Sequence, residues 1–136
     1  MSNKEYQLQH AIDNMFRYYR DNKVMITNYQ YNAEFRAEHT PAEALTWRYN
    51  VALVDMALCH FEDAEAAAKE HGNRRKRHEA AVLRLWRNGL SVAETCDRLH
   101  LFIETVCEAR ENITAYIVGL IHGQQFSEQF SERLTE

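Results

Sequence analysis

The chain has little of the material from which sharp turns are built. Its 136 residues include one proline and four glycines. An all-β design needs many turns, so long helices are the economical reading. Cysteine is scarce as well. Cys59, Cys96 and Cys107 are widely spaced within helical patterns and form no C-x-x-C. They read as reduced, buried thiols, and neither a disulfide framework nor a zinc knuckle is expected. The longest apolar stretches, such as 117–121, fall far short of the roughly 20 residues a membrane span requires. The opening MSNKEYQLQH lacks the apolar core of a signal peptide. The cytoplasm is therefore the expected location.

Chemical signatures are missing too. His60, His71, His78 and Cys59 show no recognised ligand spacing, and no Glu-x-x-His pair occurs. There is no glycine-rich phosphate loop and no nucleophile elbow. No metal, cofactor or enzymatic activity is expected.

What is present describes a globular chain, with 46% hydrophobic and 26% charged residues. A length of 136 residues suits one domain, or one domain with a helical annex. The net charge of −4 is unevenly distributed. Residues 1–71 hold 7 basic and 11 acidic side chains, and residues 99–136 hold 2 and 6. Residues 72–98 reverse the balance, with 7 basic (Arg74, Arg75, Lys76, Arg77, Arg84, Arg87, Arg98) against 3 acidic. A local excess of positive charge of this kind is where a phosphate backbone can sit.

Periodicity then places the helices. Leu8, Ile12, Met15 and Tyr19 share a face, which predicts a first helix over 4–20. Residues 24–35 alternate Met25, Thr27, Tyr29 and Tyr31 with Ile26, Asn28 and Gln30. An isolated strand would have nothing to pair with, so a loop or distorted turn is expected, with Tyr29 and Tyr31 exposed for protein binding. Thr40-Pro41-Ala42-Glu43 carries a capping residue, a first-turn proline and a reciprocal Glu, which start a helix over 41–70. Trp47, Val51, Val54, Leu58 and Phe61 form its apolar face, Leu45, Tyr49, Ala52 and Met56 add a neighbouring row that widens it for more than one partner helix, and Gly72 supplies a left-handed end. Further helices are expected over 77–88 and 91–99, and a long one from about 102. In the last segment, Phe126, Phe130 and Leu134 are spaced for a small amphipathic helix or mark a frayed tail.

Residues 80–108 combine these signals. Leu85 closes an apolar run that stops at Asn88-Gly89. Ser91 opens a short helix with Glu94 three residues on, carrying Val92, Thr95, Cys96 and Leu99 on one face. His100-Leu101-Phe102 turns the chain, and Thr105-Val106 open the next helix. This pattern resembles the helix-turn-helix of resolvases, transposases and small bacterial regulators. The expected fold is all-α with about five helices: an N-terminal antiparallel pair (1–72, for packing, oligomerisation or partner binding) and a helix-turn-helix region with an extended last helix (73–136).

The resemblance implies a small sequence-specific DNA-binding regulator of bacterial or phage type. Arg74, Arg75, Lys76, Arg77, Arg84, Arg87 and Ser91 would hold phosphates of double-stranded DNA. Glu104, Thr105, Glu108 and Arg110 would lie nearest the bases. Phe102, Val106, Ala109, Ile113, Tyr116 and Leu120 step by 4, 3, 4, 3 and 4, a seam suited to a homodimer reading two half-sites. The residues also support a different reading. Glu104 and Glu108 lie four apart on one helical face and repel a polyanion together. The same corner can then serve a protein-interaction adaptor or inhibitor that binds a protein complex.

Overall fold

The computed structural model describes residues 2–72 and 77–123. Among them are seven α-helices: α1 (Asn3–Arg17), α2 (Tyr19–Tyr31), α3 (Ala33–Ala37), α4 (Pro41–Glu70), α5 (Glu79–Arg87), α6 (Val92–Leu99) and α7 (Ile103–His122). The described chain is all-helical, as its shortage of turn residues predicts. No described helix is long and apolar enough to cross a membrane.

The longest element begins as its sequence dictates. Thr40 accepts from the Glu43 backbone N–H at 3.1 Å, and the Glu43 carboxylate accepts from the Thr40 backbone N–H at 3.3 Å. Pro41 needs no hydrogen-bonding N–H at the first helical position. At the far end Gly72 adopts a φ of +70°, the left-handed conformation that glycine reaches without a Cβ penalty. The inward face of α4 is wide, as expected, and packs against α1, α2, α5 and α7. Ala44, Ala52, Leu53, Val54, Ala57 and Leu58 are buried, while Trp47, Val51 and Phe61 lie half-buried at its margins.

The segment expected to be a loop is helical. The first helix ends at Arg17, and Tyr18 (φ −104°, ψ 10°) makes a corner into α2. Tyr19 and Asn22 are buried, and Ile26 and Tyr29 half-buried, a spacing of 3, 4 and 3 facing α4. Packing on α4 overrides the alternating pattern of residues 25–31. Tyr29 is therefore half-buried against the Trp47 ring at 6.3 Å, and only Tyr31, 77% exposed, remains at the surface. Asn32 then caps α3 by accepting from the backbone N–H groups of Glu34 and Phe35.

A single hydrophobic cluster draws on α1, α2, α4, α5 and α7. Ile12 and Phe16 meet Leu53, Val54 and Ala57, together with Val82, Leu83 and Trp86 and with Val106, Ile113 and Ile117. At its centre the Phe16 and Trp86 rings stack 3.7 Å apart and nearly parallel. The three thiols are not core groups of this kind. Cys59 is exposed, and Cys96 and Cys107 are half-buried, because Cys59 falls outside the inward face of α4.

Candidate interaction corner

The local sequence builds α5, α6 and α7 into a mutually packed trio. Helix α5 ends at Asn88, and Gly89 turns at a φ of +90°. A side chain there would be strained and would also meet Arg20, whose Nη2 lies 2.6 Å from where a Cβ would stand. Ser91 caps α6 by accepting from the Glu94 N–H at 3.1 Å, and the Glu94 carboxylate accepts from the Ser91 N–H at 3.1 Å. That backbone hydrogen bond, with help from the Ser91 side chain, holds the Glu94 carboxyl below its ordinary pKa. Thr95 is fully buried and donates to the Ser91 carbonyl at 2.8 Å. His100 closes α6 in the left-handed conformation (φ 56°, ψ 47°), and the Leu101 N–H donates back to Cys96 O at 3.1 Å.

The cations assigned to phosphate do not share one open face. Arg84 is paired with Glu62 of α4 at 3.0 Å. Arg87 lies 3.5 Å from Asp55 and 3.4 Å from the Tyr19 hydroxyl, with its guanidinium over the Tyr19 ring. Tyr19 donates to the same Asp55 oxygen at 2.5 Å. Burial, followed by Asp55, pushes the Tyr19 hydroxyl up to about 12. Arg74, Arg75 and Lys76 lie outside the described residues. Arg77 is exposed and lines a polar cleft of about 340 Å³ with Glu79, Thr105, Glu108 and Asn112. Ser91 has its hydroxyl engaged in the helix cap.

The residues assigned to base edges divide in two. Glu104 and Glu108 are exposed, and Thr105 is half-buried beside the cleft. Arg110 points the other way. It donates to Leu90 O at 2.9 Å, tying α7 to the α5–α6 turn. Its guanidinium sits over the Trp86 ring, 4.5 Å from its centre. Burial lowers its pKa, and its Nε is buried without a hydrogen-bond partner. It braces α7 against the α5–α6 turn and the Trp86 ring. A long-range partner such as Leu90 O leaves no mark in local sequence.

The expected dimer seam is also turned inward. Val106, Ala109 and Ile113 are buried in the chain's own core, and Leu120 packs against it. Tyr116 stacks on His60 of α4 at 3.9 Å. Phe102 alone stands clear, 83% exposed, and Ile103 beside it is 58% exposed. Periodicity marked the seam correctly as apolar, but α1, α4 and α5 supply the surface that covers it.

Across residues 91–112, Glu94, Asp97, Glu104, Glu108 and Glu111 are exposed. The same stretch has two cations, Arg98 at the surface and Arg110 turned inward. No group of three or more potential metal ligands clusters among the described residues. Compared with known protein families, with curated proteins and with solved structures, the chain matches none.

Proposed function

We propose that this chain is a helical protein-interaction module, an adaptor or inhibitor, built on a helix-turn-helix corner whose surface no longer suits DNA. The observation that carries this reading is the charge of the α6–α7 surface. Five exposed carboxylates stand there against two exposed cations, Arg98 on α6 and Arg77 lining the cleft beside Glu108. A duplex brings one negative charge per roughly 1.7 Å of its axis, so such a face repels it. Two arginines that would offset this, Arg84 and Arg87, are held by carboxylates of α4.

The alternative is the DNA-binding regulator, and one observation favours it. The capped α6, the buried Thr95 and the left-handed His100 make a tight turn ahead of α7, which supports a helix-turn-helix reading. A titration of random and genomic duplexes at rising salt separates the two. The interaction-module reading expects no salt-steep binding by the native chain, and a gain of binding in the Glu104→Lys/Glu108→Lys variant. Native binding whose log–log salt slope is steeper than about −4 would report four or more phosphate contacts. If alanines at Arg74, Arg75, Lys76 and Arg77 then removed it, the regulator reading would replace this one.

A further inference from the structure

We infer that Phe102 and Ile103 are the apolar tip of a docking surface for a basic amphipathic helix of a partner protein. The inference rests on the interaction-module reading above and gives that reading a place and a chemistry. Phe102 occupies the N-cap position of α7 (φ −72°, ψ 153°) and makes no side-chain cap hydrogen bond. Ser, Thr, Asp or Asn at such a position would stabilise the helix. Phenylalanine forgoes that contribution, and at 83% exposure it gains little from burial in return. Ile103 repeats the pattern one residue later. Neither the cap nor the core accounts for two large apolar groups side by side at this corner.

Their surroundings define the partner. Val106, Ala109, Ile113 and Ile117 use the inward face of α7, so the tip continues into no further apolar surface of the same helix. On α7 the exposed Glu104 and Glu108 follow it, with Arg77 lining the cleft beside Glu108, and on α6 the exposed Glu94 and Asp97 line a second cleft with Arg98 and His100. Aromatic anchors within a polar rim are where binding energy concentrates in interfaces. Among the described residues, four carboxylates against Arg77 and Arg98 leave these surroundings net acidic, which disfavours acidic proteins, nucleic acid and anionic lipid. They attract an apolar stripe flanked by lysine or arginine.

The test uses the full chain, ¹⁵N-labelled, with three probes. These are a helical peptide with leucines on one face and lysines elsewhere, its glutamate-for-lysine counterpart, and a random-sequence duplex. The lysine peptide should shift the amides of Phe102, Ile103, Glu104 and Glu108, and the other two probes should not. Phe102→Ala/Ile103→Ala and, separately, Glu104→Lys/Glu108→Lys should each weaken binding at least about tenfold, or 1.4 kcal/mol. Phe102→Ala/Ile103→Ala, at exposed positions, should leave the melting temperature unchanged, and Glu104→Lys/Glu108→Lys, which loses the first-turn carboxylate of α7, should lower it only slightly, so a folding defect is excluded by the same samples. Lysine-peptide shifts confined to other helices, or none, overturn the inference and leave the interaction-module reading standing. Broadening of the same amides with protein concentration alone, relieved by Phe102→Ala, makes a second copy the occupant and overturns it too. Duplex shifts at these amides that fade steeply with salt overturn the module reading itself.

Discussion

On the α4–α5 seam, Arg84 reaches Glu62 at 3.0 Å and Arg87 reaches Asp55 at 3.5 Å. On the α6–α7 corner, five exposed carboxylates stand against the exposed Arg98 and Arg77 and the inward-turned Arg110. The first region draws on the most basic stretch of the chain, yet each of these two cations is countered by a carboxylate from α4. The second draws on a stretch with capped helices and a tight turn, yet its surface is acidic. Charge counted along a sequence is therefore a poor guide to potential at a surface. Pairs separated by 22 and 32 residues cancel a field that the local count suggests. Exposed carboxylates near a helix start need no such partner, because the helix dipole and water hold them.

The comparison presupposes that both regions share one core, and the largest expected effect tests that. Phe16 of α1 stacks on Trp86 of α5, whose ring also carries Arg110 of α7. Phe16→Ala should cost about 3–5 kcal/mol of unfolding free energy, the usual range for a fully buried aromatic. Urea unfolding followed by fluorescence and by far-ultraviolet dichroism should show one coincident transition at a lower midpoint. Two separate transitions would show that the α6–α7 corner folds on its own and that the contrast is one between independent units.

The next effect separates the two kinds of arginine directly. Arg110→Ala leaves Leu90 O without its charged donor and uncovers a face of Trp86. A hydrogen bond to a charged group contributes about 1.5–3 kcal/mol, and the unpartnered Nε, which is desolvated for no return, places the net loss near the lower end. Arg84→Ala removes an ion pair whose side chains are both nearly half exposed, and should change stability by less than about 1 kcal/mol. Equal losses in the two variants would erase the distinction between brace and surface pair.

How far the sequence revealed these roles differs by element. Helix α4 was legible from both ends, because Thr40, Pro41, Glu43 and Gly72 act locally. The start of α6 was legible for the same reason, through Ser91 and Glu94. Helix α2 was not. Its inward row includes Asn22, a polar residue that breaks the apolar pattern, and its Met, Thr and Tyr positions alternate as a strand would. The face of α7 was read as apolar, but which partner covers it depends on Phe16, Leu53 and Trp86, distant in sequence. Arg84, Arg87 and Arg110 look from the sequence like cations facing solvent, for the same reason. Their carboxylate, hydroxyl and carbonyl partners lie 20 to 68 residues away. The exposure of Phe102 and Ile103 was the reverse case, a departure from the apolar seam that only packing exposes.

A further modest effect concerns the turn that sets the corner's angle. Ser91→Ala removes the cap of α6 and should cost about 1 kcal/mol, less than either core change. Its pH dependence is more diagnostic than its size. The Ser91 backbone N–H and, after it, the Ser91 hydroxyl hold Glu94 below its ordinary value of 4.5 in the folded chain. A group whose folded pKa is depressed adds stability above its unfolded pKa, and that stability disappears as pH falls through the folded value. The native chain should therefore lose stability on acidification below about pH 4.5, and Glu94→Gln should lose less over the same window. Glu43 is depressed in the same way by His39 and the Thr40 backbone, so part of the acid loss should survive in Glu94→Gln and shrink again when Glu43→Gln is added. Measured as chemical-denaturation midpoints between pH 3 and 7, roughly the span over which carboxylates titrate, the double variant should show the flattest curve. If Glu94→Gln follows the native acid limb without change, the α6 cap contributes no carboxylate anchoring. The corner's acidic surface would then be independent of the turn that presents it.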